Sequence, residues 1–166
     1  EDYLAYAYEI NRESYDSIAS IFIGDPRVIV SHNGCGDKEG CCSAVTYNAA
    51  NSSLKNDSSG NDIVEVHTID VEFAGKDITY LKINTVGTEM DVLKGAASTI
   101  KRCLPKLAAA IFMQEDLWHK VPEFIWSIDG RYDIYFRQYA PQATICLAVP
   151  PSVTHYKKRG SPEGMT

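Results

Sequence analysis

The stretch LKINTVGTEMDVLKGA, residues 81–96, changes its period in the middle. Leu81–Ile83 extend the apolar run ITYLKI and read as a buried strand. From Gly87 onward Met90, Leu93, Ala97, Ile100 and Leu104 recur every three or four positions, which predicts a helix with one apolar face. The junction is therefore strand, short turn, helix. In an open α/β sheet, ligands bind at the carboxyl end of such a strand. A turn of this kind often carries an acidic residue, whereas Asn84 and Val86 stand here. It is either an active-site turn whose acids have been replaced or only a well-made turn.

Outward from that stretch, strands and helices alternate. YLAYAYEI (3–10) is a strand candidate that ends on the acidic Glu9. NRESYDSIASIF (11–22) puts Tyr15, Ile18 and Ile21/Phe22 on one helical face, with Asn11 as a suitable N-cap. After the turn GDP (24–26), RVIVSHNG (27–34) reads as a second strand and GDKEG (36–40) as another turn. The segment 41–75 has hairpin character, with CCSAVTYN and DIVEVHTIDVEF on either side of the polar loop AANSSLKNDSSGND. Downstream, LPKLAAAIFM (104–113) is a strand after Pro105, and EDLWHKVPEFIWSI (115–128) is a helix broken or begun near Pro122. YDIYFRQY (132–139) and ATICLAVP (143–150) are two strands paired through the turn at Ala140-Pro141. This order predicts a mainly parallel sheet covered on both faces, in one domain over 1–153 with a polar tail over 154–166.

Bulk properties exclude several classes. The 166 residues suffice for one domain, and 45% hydrophobic with 23% charged residues is an ordinary globular composition. A formal charge of −6 argues against a nucleic-acid partner; the cationic cluster Lys157-Lys158-Arg159 sits in the polar tail. No apolar run approaches the roughly 20 residues that span a bilayer, and the first residues do not resemble a signal peptide. The five cysteines are odd in number and lack paired metal spacing, so reduced thiols in the cytoplasm are the expectation, with no metal site. Sequons at Asn51 and Asn56 do not alter that reading. The oligomeric state is not legible.

Several segments in order resemble the FkbM-type methyltransferases, which use S-adenosylmethionine. AYAYEINRES resembles the family's second strand and its closing acid, and VIVSHNGCGDKEG its third strand and turn. VHTID is similar to the family's V-x-T-x-D, and LKINTVGTEMDVLKGA to K-I-D-x-E-G-x-E-x-x-V-L-x-G-A, the most specific block. LPKLAAAIFMQEDLW, VPEFI, YDIYFRQY and ICLAVP follow in the family's order. The resemblance implies a three-layer Rossmann-like class I sheet with an antiparallel C-terminal pair. It implies that Glu9 binds the cofactor's ribose hydroxyls, that Ile10 lies against its adenine, and that the turn Gly34–Asp37, with Cys35, lines the edge. It also implies catalytic roles for Asn84 at the cofactor or acceptor and for Asp70 as a base.

The chain departs from the family in three places. K-I-D-x-E-G is here K-I-N-T-V-G, and Asn84 can orient a ligand but cannot take up a proton as a carboxylate does. Met113 stands where the family often has a histidine, with Glu115, Asp116 and His119 nearby. The resemblance also implies a strand and Gly-rich turn ahead of Glu1-Asp2, in the middle of the sheet. Without them a gap with unpaired backbone groups is expected between the strands at 3–10 and 79–84, as in a fragment or in a decayed member.

Each of these residues also has a plain structural reading. Glu9 is also a solvated strand-end acid, Asn84 a helix N-cap, Asp70 a turn former, and Glu89 a charge favoured at a helix N-terminus. Lys82, inside an apolar strand, pairs with an acid such as Asp70 or reaches to the surface. Trp118 and Trp126 read as core or lid. The functional expectation is an O-methyltransferase that transfers from S-adenosylmethionine to a hydroxyl of a carbohydrate or of a glycosylated or polyketide-type metabolite. The alternatives are a catalytically degenerate protein of the same fold used for binding or association, and a nicotinamide-dependent oxidoreductase. The last lacks a G-x-G-x-x-G.

Overall fold

In the computed structural model, which describes residues 3–48, 51–55, 62–140 and 143–151, the elements begin where side chains mark them. Strand β1 (Ala5–Tyr8) runs toward Asn11, whose side-chain oxygen accepts the Ser14 N–H at 2.8 Å and caps α1 (Arg12–Ile21). No residue of α1 is fully buried: of its predicted apolar face Tyr15 and Ile18 are half-buried, Tyr15 with its ring 5.2 Å from that of His32, while Ile21 is 70% exposed. Strand β2 (Val28–Ser31) lies parallel to β1, with Ala5 opposite Val28. The strand expected over 27–34 breaks there. Its last part, β3 (Gly34–Cys35), pairs instead with β6 (Asp62–His67).

The hairpin region is antiparallel as expected, but part of the stretch read as a polar loop is itself a strand, β5 (Asn51–Lys55). Strands β4 (Gly40–Asn48) and β5 pair antiparallel, and β4 pairs antiparallel with β6, giving the order β3-β6-β4-β5. Strand character was expected through Phe73, but it stops at His67. The Thr68 hydroxyl accepts the Val71 N–H at 3.3 Å and starts the single turn α2 (Ile69–Glu72).

The opening stretch folds into β7 (Tyr80–Ile83), α3 (Glu89–Lys94) and α4 (Ala97–Cys103), so the one helix predicted there is two. A glycine stands at the break, and sterics require it. A Cβ on Gly95 would lie 1.9 Å from the Gly36 carbonyl oxygen, so the chain passes backbone against backbone at that point. The Gly95 carbonyl accepts the Asp70 N–H at 2.8 Å, and the Asp70 carboxylate accepts the Ser98 and Thr99 N–H groups at 3.0 and 2.7 Å. Asp70 thus satisfies first-turn donors of α4 that no residue of that helix caps. It forms no ion pair with Lys82.

Beyond α4 come β8 (Lys106–Ala110), α5 (Leu117–Ile128), β9 (Asp133–Gln138) and β10 (Thr144–Val149), in a sheet ordered β7-β8-β10-β9. Helix α5 continues through Pro122 rather than breaking: the ring is buried, and the helix forgoes one hydrogen bond. The antiparallel C-terminal pair is present, with Cys146 opposite Phe136. Only three of the seven ladders among the described residues are parallel, which corrects the mainly parallel expectation. Two of the four antiparallel ladders, β4–β5 and β9–β10, join strands consecutive in sequence; the other two, β4–β6 and β8–β10, join strands with another strand between them in the chain. Ile83, Leu93, Ile100, Leu107, Val121 and Ile125 belong to the core. Among the described residues no helix is long and apolar enough to cross a membrane. The tail 154–166, Asn56 and the Pro141 part of the last turn lie outside the described residues.

The expected gap is where the family pattern put it. Among the described residues β1 pairs only with β2 and β7 only with β8. A cavity of about 910 Å3 runs between them, lined by all of β1 and all of β7.

Glu89, at the start of α3, is fully buried; its Oε1 faces the Gly87 N–H at 3.5 Å and its Oε2 has no partner among the described residues. Burial, the largest cause, raises its pKa above the usual carboxyl range, against the smaller opposing effect of neighbouring amides. The protonated form is therefore favoured on folding. That contribution is fully present below the pKa of the unfolded carboxyl and is lost as pH rises through the raised folded value. Glu89→Gln, which cannot ionise, should gain stability relative to wild type as pH rises across this window, read from urea midpoints at several pH values. Gly95→Ala should cost at least the roughly 1–3 kcal/mol typical of overpacking, read from the same denaturation curves.

Candidate functional site

The mouth of the cavity is set by two adjacent hydroxyls. Asn11 Nδ2 donates to Ser52 Oγ at 3.2 Å, and Ser53 Oγ donates to the Val86 carbonyl at 3.0 Å. Asn11 follows the end of β1, and Val86 follows the end of β7. Neighbouring Cα atoms are 3.8 Å apart, so these contacts place both strand ends at one mouth.

Glu9 stands at that mouth, at the end of β1. Its Oε1 accepts the Asn11 N–H at 2.7 Å, while Oε2 has no hydrogen bond among the described residues. The carboxylate is thus oriented from one side and open on the other. Ile10 follows it in the wall, its carbonyl 3.2 Å from His32 Nε2. Asn84 lines the wall from the end of β7; it is exposed, and its side chain makes no hydrogen bond among the described residues. Glu9, Ile10, Gly34, Cys35 and Asn84 are therefore brought to one cavity.

The other two candidates are not. Asp37 is exposed and does not line the cavity. Asp70 lies outside the wall with both carboxylate oxygens engaged by the backbone of α4. Gly34 is in the wall, but the space its missing side chain leaves is used by the protein. Leu54 Cδ1 lies 2.9 Å and Ile10 Cγ2 3.4 Å from where a Cβ would stand. The Cys35 thiol is pushed up to about 12, mainly by burial and further by Glu72 and Glu39, so it stays protonated and acts by shape. Burial, and then Glu72, likewise raise the Tyr8 hydroxyl.

The floor is apolar, formed by Ile69, Phe73 and Val92, and Tyr6 meets Phe73 edge-on at 4.9 Å. Glu9 and Asp77 are the carboxylates of the described wall, and no histidine joins them. Asp77 is engaged by Arg102 at 3.1 Å, ahead of β7, at the end away from the mouth. Among the described residues no three His, Cys, Asp or Glu side chains are grouped to hold a metal ion. The mouth thus offers one open carboxylate, amide and hydroxyl groups for orientation, and apolar surface from Ile10 and Leu54. Sequence reading missed Ser52, Ser53 and Leu54. They belong to a polar loop by composition, and only the pairing of β5 carries them to strand ends more than thirty residues away in either direction.

The site sits in a chain whose relationships agree with its fold. The protein-family model described as the methyltransferase FkbM domain matches residues 4–140. Among solved structures, that of methyltransferase FkbM from Methylobacillus flagellatus KT has a similar fold, with a TM-score of 0.68 at 21% identity. The match covers 87% of this chain and 36% of that one, so this chain spans little more than a third of that protein's length. No curated protein matches the sequence. With the family's pattern running from β1 to the end of β9, the chain belongs to the FkbM methyltransferase family.

Proposed function

We propose that the chain acts as an S-adenosylmethionine-dependent O-methyltransferase, on a hydroxyl of a carbohydrate or of a glycosylated or polyketide-type metabolite. The observation that carries the reading is Glu9. A carboxylate at the end of a parallel strand, oriented by one backbone N–H and open on its other oxygen, suits the paired hydroxyls of a ribose. Ile10 and Leu54 offer the apolar surface an adenine needs, and the cavity is roomy enough for a molecule of that size. These residues fit the donor, which when bound supplies a methyl group on a sulfonium. The three-layer Rossmann-like arrangement belongs to the same proposal, as does a cytoplasmic setting, which five cysteines not joined in disulfides support.

Transfer of that methyl to a hydroxyl is an in-line displacement that depends mainly on holding two partners in line. Asn84, across the mouth from Glu9, is placed to orient by hydrogen bonding and cannot remove the hydroxyl proton. With no second carboxylate or histidine at the described mouth, the proton leaves to water. The same observation favours one further reading: a member of the family that binds the donor without turning it over.

Calorimetric titration of S-adenosylhomocysteine tests both. Binding in the roughly micromolar range is expected, and Glu9→Gln, which keeps an acceptor for the Asn11 N–H but loses the charge, should weaken it about tenfold. A folded wild-type chain that gives no heat, or that prefers a nicotinamide dinucleotide in competition, overturns the proposal. Asn84→Asp should preserve or raise the rate of methylation in an acceptor screen. No turnover by either form, with donor binding intact, would favour the binding-only reading.

A further inference from the structure

The β4–β5 hairpin is not needed to complete the sheet that holds β7, yet it reaches the cavity. Strand β5 is the outermost strand of its own sheet, and three consecutive residues of it, Ser52, Ser53 and Leu54, line the wall. Neighbouring residues of a strand point to opposite faces, so β5 meets the cavity by its edge. At one end it is bonded to Asn11, the residue whose N–H orients Glu9. At its middle Ser53, which is buried, holds the carbonyl of Val86 in the turn that carries Asn84. Leu54 packs over Gly34, with Ile10 beside it.

We propose that the hairpin is the roof of the donor site. Leu54 supplies, with Ile10, the apolar wall against which the donor's base rests, and Ser53 is a positioning residue that ties this wall to the Asn84 turn. The proposal rests on the donor reading above and adds two things to it: a specificity residue from outside the parallel strands, and a physical link between donor and acceptor ends. A base settled against Leu54 steadies β5, and through Ser53 it steadies residues 84–88.

The test uses the 166-residue chain with S-adenosylhomocysteine and with adenosine as probes. Because Leu54 faces the base, Leu54→Ala should weaken both by the same factor, about tenfold, and Leu54→Val by about threefold. Ser53→Ala should change affinity by less than about twofold, the modest net worth of one hydrogen bond felt indirectly. It should, however, abolish the slowing of amide exchange at 84–88 that S-adenosylhomocysteine produces in wild type, and Ser53→Thr, which keeps the hydroxyl, should restore it. Folded Leu54→Val and Leu54→Ala chains that bind both probes as wild type does overturn the roof. So does a loss seen with S-adenosylhomocysteine but not with adenosine. Protection of 84–88 that survives in Ser53→Ala overturns the link. A wild-type chain that binds neither probe overturns the donor reading itself, and so is told apart from failure of the roof alone.

Discussion

Two neighbouring hydroxyls, Ser52 and Ser53, hold the ends of β1 and β7 at a common mouth, and the candidate site depends on that arrangement. No ladder among the described residues joins the two strands, so nothing in the sheet itself sets their spacing. A strand that closes only one edge leaves a row of N–H and C=O groups along the other. Here the two open edges face the same cavity, and side chains of the hairpin bridge its mouth. Glu9 and Asn84 share a site because the contacts on either side of them, at Asn11 and Val86, are made to adjacent residues.

The region behind the mouth is held by a different device. Gly95 passes against the backbone of Gly36 so closely that no side chain fits, and Asp70 accepts two amides of α4 beside it. The G-A end of the block that resembles the family and the D of the V-x-T-x-D segment are thus partners in one contact. That contact draws the turn after β3 onto the helices after β7 and accounts for both residues without chemistry. Glu39 adds to it by accepting the Thr68 N–H at 2.6 Å, which together with its other partners lowers its pKa.

The distribution of charge separates structural acids from the one in the cavity wall that is left open. Asp25 and Asp129 are held at about 2 by the arginines two residues on, Asp116 is lowered mainly by Lys120, and Asp77 takes Arg102. Glu89 is buried and favours its proton. Of the acids that sequence reading singled out at strand ends or turns, Glu9 alone combines a place in the cavity wall with an oxygen left open. A mouth with one such carboxylate is equipped to bind and orient, and the chemistry it supports relies on alignment more than on proton transfer.

Much of this was legible from residue order. The strand–turn–helix at 81–96, the Asn11 cap, the hairpin character of 41–75 and the antiparallel C-terminal pair follow from period, capping chemistry and turn residues, which act over a few positions along the chain. Glu9 as a strand-end acid was also read from the residues, while its role toward the donor and the gap between the strands at 3–10 and 79–84 followed from the resemblance. What the chain could not show locally are the events in which distant backbones meet. The need for glycine at 95 came from the position of Gly36, the true duty of Asp70 needed the amides of Ser98 and Thr99, and the occupancy of the space at Gly34 needed Leu54. Periodicity and capping are properties of neighbours in sequence and so can be read there; close approach and shared hydrogen bonds are properties of neighbours in space, and only the tertiary structure decides them.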